Sequence, residues 1–476
     1  MSHTPPSAQS ANADGSNLAP GLKQRHVTML SIAGVIGAGL FVGSGHAIAA
    51  AGPAVLLSYI AAGLLVVLVM RMLGEMAVAS PDTGSFSTYA NRAIGQWAGF
   101  SIGWLYWWFW VLVIPLEAIA AAAILNAWFP GVATWAFALA ITALLTLSNL
   151  FSVAKYGEFE FWFALSKVVA IMAFIILAAV ALVGGLPGRE VEGFTSTMNA
   201  NGGFAPNGYG PVLGALLTTM FSFMGTEIVT IAAAESKNPA QQIARATNSV
   251  IWRIGIFYIV SIFMVVSIVP WNDAQLSVVG SYQRALELLQ IPYAKLIVDI
   301  VVLVAVASCL NSAIYTASRM LYSLAKRGDA PQALKTTTVS NVPRKAVLAS
   351  TAIGFLTTAI NYFAPEKVFA FLLATSGAVA LLVYLVIAVS QLRMRKQLIA
   401  SGHELGFKMW LYPWLTWLVI IFITGALALM LTLPKHTGEV AATAVLAAVI
   451  VATGLYIKRR SKTASWLRGV AGYTDR

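Results

Sequence analysis

About twelve apolar runs, each roughly as long as a bilayer is thick, constrain this chain more than any other feature. A helix needs roughly 20 residues to cross about 30 Å of hydrocarbon. Runs of that order lie near 27–50, 53–79, 97–127, 131–151, 158–184, 210–234, 252–270, 291–322, 346–364, 366–390, 410–433 and 439–457. Backbone surrounded by lipid must satisfy its own N–H and C=O groups, and with runs of this length only a helix bundle does so. Charged residues make up 10% of the chain, against about 25% in soluble domains. The expected fold class is therefore an all-α integral membrane protein with about twelve transmembrane segments, numbered 1 to 12 in chain order.

The flanks and charges orient this bundle. Residues 1–22 are rich in Ser, Ala, Asn and Pro and read as a disordered tail. The first apolar run follows Lys23, Arg25 and His26 without a small-residue cleavage pattern, so it stays as a membrane anchor. Residues 23–457 form the transmembrane domain and 458–476 a basic tail. With the N-terminus inside, the tails and even-to-odd loops hold about 23 of the 30 Lys and Arg, and the other loops about 5. The net charge of +12 follows membrane sidedness rather than forming one basic patch, so nucleic acid is not an expected partner. Both termini are expected in the cytoplasm. The single Cys309 excludes an internal disulfide framework. The five His are scattered, and neither a phosphate-cradling loop nor a catalytic triad spacing stands out. The chain is expected not to be an enzyme and to use neither a metal nor a cofactor. No ATP-binding segment is visible.

Two segments carry features that a plain lipid-facing span does not need. GVIGAGLF, residues 34–41, places Gly34, Gly37 and Gly39 in the middle of segment 1. Each interior Gly weakens a helix by about 0.8–1 kcal/mol relative to Ala, so the backbone can open here. FSFMGTE, residues 221–227, places Gly225 with Ser222, Thr226 and Glu227 inside segment 6, five spans later. Broken helices at matching positions of two five-helix halves are the mark of an inverted-repeat transporter, with substrate at the breaks. The halves are about 27–184 and 210–390, and segments 11 and 12, about 410–457, are peripheral. The alternative reading of these glycines is close helix packing.

Longer strings sharpen the class: GLKQRHVTMLSIAGVIGAGLF at 21–41, GSFSTYANRAIGQWAGFSIGWLYWWFWVLVIPLEA at 84–118, YGEFEFW at 156–162, FSFMGTEIVTIAAAES at 221–236 and TASRMLYSLAKRGDAP at 316–331. Over about residues 21–457 the chain resembles the amino acid permease family of the amino acid, polyamine and organocation superfamily. The resemblance implies a five-plus-five inverted repeat (LeuT-like) and proton-coupled uptake of an amino acid. The strings are most similar to those of members that carry 4-aminobutyrate (GABA). A permease of the family for an aromatic, basic or proline-like amino acid is the runner-up. A non-transporting sensor is a remote alternative, and a channel is disfavoured because no ring of polar residues suggests a filter.

An amino acid brings a carboxylate and an ammonium to mid-membrane together. Unwinding segment 1 exposes the N–H groups of Ala38 and Gly39 at the start of its second half, where the helix dipole favours an anion. Carbonyls near Val35, Phe221 and Ser222, at the ends of the first halves, suit the ammonium. Gly37 and Gly225 supply the openings. Glu227 either meets the ammonium or caps the second half of segment 6. Glu117 is an intramembrane carboxyl whose position is costly unless it faces the bundle interior. It reads either as a group that takes up and releases a proton or as a protonated Glu bonded between helices. Lys167 lies about 14 Å into segment 5, deeper than a snorkelling stem reaches. The resemblance implies that its ammonium stands where a sodium ion sits in other relatives, against carbonyls near Ala33 and Gly34 and the Cys309 and Ser312 face. In segment 8, Ser308, Asn311, Tyr315, Ser318 and Tyr322 form one polar stripe, with Cys309, Ser312, Thr316, Arg319 and Ser323 beside it. Asn311, Ser312 and Cys309 are the expected pathway residues. Arg71 and Glu75 are expected to pair, as are Lys295 and Asp299. Glu235 is expected to make a structural contact, with Arg245 and Arg253 as its partners.

Overall fold

The computed structural model describes residues 36–81, 85–151, 156–186, 193–228, 230, 238–291, 293–338, 342–362, 365–402, 404–433 and 437–471. The expectations for residues 1–22, Ala33, Gly34, Val35 and Glu235 lie outside these. Segment 1 is described from Ile36 onward. Its second half, α1, is a wide π-type turn, Gly39–Gly43, continued by a regular helix, Ser44–Ala51. Then come α2 (Val55–Ala79), α3 (Gln96–Trp128), α4 (Thr134–Phe151) and α5 (Tyr156–Leu182). The second half opens with α6 (Gly210–Phe223) and α7 (Pro239–Ile268), whose middle turns at Ile254–Val260 are again π-type. It continues with α8 (Ala294–Arg327), α9 (Arg344–Asn361) and α10 (Pro365–Ala400), followed by α11 (Trp414–Met430) and α12 (Thr437–Ala471). All regular elements among the described residues are helical. Eight described stretches are long and apolar enough to cross a membrane, and the order of helices is consistent with about twelve transmembrane segments.

Burial sorts these helices. α3 is apolar around its whole circumference, and its residues are buried along nearly the entire length. A helix of that composition belongs at the centre of a bundle, and α3 packs against α4, α8, α10 and α12. The most hydrophobic windows of α4 and α12 are largely uncovered, each 17% buried, and face outward as peripheral spans do. α6 lies between α2 and α10 and touches α1. The two interrupted segments therefore meet inside the bundle.

Arg71 and Glu75 do not pair with each other. Glu75, 1% exposed, accepts from Gln391 Nε2 (2.7 Å), Arg395 Nη1 (2.9 Å) and the Met409 N–H (2.6 Å). Arg71 donates to the Lys408 carbonyl and Asn248 Oδ1, both at 2.9 Å, and stacks over Phe407 and Trp410. A buried carboxylate gains more from three donors than from one partner at i−4. The result is a strap: the connector between α10 and α11 is fastened across α2. Lys295 likewise pairs with Glu287 at 3.0 Å rather than with Asp299.

Candidate functional site

Where the described part of segment 1 begins, its backbone meets a side chain of α3. Leu40 and Phe41 donate to the Gly37 carbonyl, which starts the second half-helix just beyond the Ala38 N–H. Both oxygens of Glu117 take it, at 2.9 and 3.2 Å. Glu117 is 1% exposed and lies two residues beyond Pro115, the proline within α3. A carboxylate at the N-terminus of a half-helix is held by a charge-assisted bond and by the helix dipole. Gly37 is required here because a Cβ would lie 2.5 Å from Glu117 Oε1 and 2.9 Å from Cys309 Cβ. Cys309 of α8 thus lines the same spot, buried against the break and Glu117.

Segment 6 breaks at its glycine, as the sequence suggests. α6 stops at Phe223, Met224 is extended, and Gly225 has φ +98°, the left-handed region that only Gly occupies readily. The Gly225 N–H donates to both Glu227 oxygens at 2.9 and 3.0 Å. Of the two roles read for Glu227, capping is visible in the structure. Its surroundings are more polar than a cap needs. Tyr106 of α3, Tyr384 of α10 and Arg253 of α7 lie within electrostatic reach of Glu227. Their hydroxyls and Arg253 Nη2 are buried without a hydrogen bond.

The two breaks touch through Gly39. A Cβ there would sit 2.8 Å from Phe221 Cδ1 and Ser222 Oγ and 2.9 Å from Ser222 Cα. The carbonyls read as ammonium acceptors already have protein partners: the Phe221 carbonyl accepts from the Met224 N–H at 3.2 Å and that of Ser222 from Tyr258 Oη at 2.9 Å. Each retains a second lone pair. Gly39→Ala is expected to force α1 off α6 and to lower uptake at least tenfold. Gly43→Ala, whose Cβ meets nothing closer than 3.4 Å, is expected to stay within twofold, both read as initial transport rates.

Lys167 points inward, fully buried, and donates to Ser308 Oγ at 3.1 Å. This is the α8 position next to the Cys309 and Ser312 face anticipated from sequence. Ser308 in turn donates to Glu160 Oε2 at 2.8 Å. Ser312 and Asn311 lie beside Glu160, and Asn311 Oδ1 accepts from Asn149 Nδ2 of α4 at 2.7 Å. The stripe therefore divides: Cys309 faces the break, whereas Ser308, Asn311 and Ser312 face α5 and α4. Sequence reasoning passes over Glu160, although YGEFEFW places it seven residues, two helical turns, before Lys167 and so on the same face. It assigns Arg253 to Glu235 rather than to the surroundings of Glu227. Tyr384 and Tyr258 carry no signal in their apolar runs.

The description "Amino acid permease" belongs to a family model that matches residues 26–467. A probable GABA permease of Pseudomonas aeruginosa is 77% identical over 460 residues, covering 97% of each chain. The gamma-aminobutyric acid permease of Escherichia coli is 64% identical over 94% of this chain and 96% of its own. An aromatic amino acid transport protein of Corynebacterium glutamicum is 43% identical over 87% and 90%. A solved structure of a mutant manganese transporter from Eremococcus coleocola superposes with a TM-score of 0.53 at 15% identity over 90% of this chain and 92% of its own, a likeness of fold. From its helix breaks to its strings, the chain belongs to the amino acid permease family.

Proposed function

We propose that this chain imports GABA across a bacterial plasma membrane together with a proton, by alternating access around the breaks of segments 1 and 6. The observation that carries this reading is the bond from the Ala38 N–H to the Glu117 carboxylate. The break already holds a carboxylate, and a substrate carboxylate of the same geometry competes for the same N–H and for that of Gly39. A proton arriving on Glu117 discharges it and yields Ala38 to the substrate, so substrate and proton enter together. Lys167 compensates the local charge. Val35, Gly37, Phe221, Ser222 and Gly225 frame the site, and Asn311, Ser312 and Cys309 border the exit route. The excess of Lys and Arg in the tails and even-to-odd loops orients both termini to the cytoplasm. The identities of 77% and 64% to proteins named as GABA permeases support GABA over an α-amino acid.

GABA separates its charges by three methylenes, so its ammonium reaches further from Ala38 than that of an α-amino acid. Glu227 stands five residues beyond Ser222 and can receive it. Glu227→Gln keeps an oxygen for the Gly225 N–H but removes the charge. It is expected to reduce GABA uptake at least tenfold while leaving the melting temperature in detergent within a few degrees; unchanged uptake would leave Glu227 as a cap alone. The substrate itself is tested by competition against labelled GABA in proteoliposomes. GABA and muscimol-like analogues are expected to compete, and aromatic, basic and proline-like amino acids are not.

A further inference from the structure

Lys167 stands between two buried carboxylates. Glu117, on the side of the segment 1 break, lies within electrostatic reach of it. Glu160, fully buried and about 10 Å further along α5, is joined to it through one hydroxyl: Lys167 Nζ donates to Ser308 Oγ at 3.1 Å, and Ser308 Oγ donates to Glu160 Oε2 at 2.8 Å. Both bonds run in one direction, from ammonium to carboxylate. Glu160 Oε1 is buried with no hydrogen-bond partner. Among the described residues, the titratable groups facing Glu160 are Lys167 from its own helix and Cys309 from α8. A carboxylate that served only to hold Lys167 would gain most from direct contact. An interposed hydroxyl, which both accepts and donates, is instead the element of a proton wire.

We propose that Glu160 is the acceptor through which Lys167 passes the coupling proton toward the cytoplasm, with Ser308 as the relay. This rests on the reading of the chain as a proton-coupled importer and adds the inner half of the proton's route. In the step, one Lys167 Nζ–H bond breaks and its proton bonds to Ser308 Oγ. The proton of Ser308 leaves to Glu160 Oε2. Lys167 becomes a neutral amine, Glu160 a neutral acid and Ser308 is regenerated, so one proton has moved and two buried charges have been discharged together. Glu160 then loses the proton to water, and Lys167 regains one from the side of Glu117.

The test uses the full chain in proteoliposomes and reads two activities: accumulation of labelled GABA driven by an inward proton gradient, and exchange of labelled for unlabelled GABA at equal pH. Exchange does not require the proton to be released. Ser308→Ala is expected to lower accumulation at least tenfold while exchange stays within twofold, and Ser308→Thr, which restores the hydroxyl, is expected to recover accumulation. Glu160→Gln is expected to behave as Ser308→Ala; if it does not fold, the serine pair carries the test. Accumulation by Ser308→Ala equal to that of the parent would make Glu160 a static counter-ion and overturn the relay. So would equal loss of both activities without rescue by threonine. A parent protein that exchanges GABA but does not accumulate it under the gradient would instead overturn proton coupling itself, a failure separable from that of the relay.

Discussion

Lys167→Met is expected to damage stability and transport together. Lys167 is fully buried and is linked through Ser308 to Glu160, with Glu117 also in reach. Methionine fills the volume of the stem and removes the cation, leaving two buried carboxylates without compensation. Removing one partner of a buried ion pair costs about 3–5 kcal/mol. A fall in the detergent melting temperature is expected, together with loss of gradient-driven GABA accumulation to the level of empty vesicles. The double variant Lys167→Met with Glu160→Gln deletes one of the stranded charges as well. It is expected to recover part of the melting temperature without recovering accumulation. Equal melting temperatures for Lys167→Met and the parent would mean that the ammonium and the carboxylates do not depend on each other.

The second large effect lies in packing. Gly377 of α10 faces the backbone of α6, where a Cβ would fall onto the Leu217 carbonyl, 2.6 Å from its carbon and 2.8 Å from Leu217 Cα. Overpacking against side chains typically costs about 1–3 kcal/mol, and a backbone cannot rotate away as a side chain can. Gly377→Ala must therefore separate α10 from the half-helix that ends at the break. Loss of folded protein is expected, measured as the monodisperse fraction after purification. Gly425→Ala on α11, with nothing within 4 Å of its Cβ, is the matched control and is expected to match the parent. A well-folded Gly377→Ala protein would mean that the α6–α10 contact is looser than the structure has it.

What could be read from the sequence divides along a physical line. The crossings followed from apolar length, and the breaks at Gly37–Gly39 and Gly225 from residues that weaken a helix locally. These are properties of short stretches. The partners of long polar side chains belong to packing between distant helices and are not local. Glu117 was legible as a costly intramembrane carboxyl and Ala38 as an exposed N–H, but the bond between them was not, because it depends on how α3 packs against segment 1. Arg71 and Glu75 suit an i, i+4 pair on α2, yet α10 offers Glu75 two side-chain donors and the connector after it a backbone N–H. Lys295 pairs with Glu287 across a turn instead of with Asp299 on its own helix. Glu160 lies two turns before Lys167 on the same helix. Its place in the site depends on Ser308 arriving from a helix 148 residues later in the chain.

The central claim is that the breaks at Ala38 and Gly225 hold a zwitterion whose entry is tied to a proton through Glu117. It is tested most directly by following labelled GABA in proteoliposomes with an acid outside, a neutral inside and no sodium present. Accumulation above the external concentration, abolished by a protonophore and absent in Glu117→Gln while exchange persists, is the predicted result. Accumulation that requires sodium, or that is unchanged in Glu117→Gln, would contradict it.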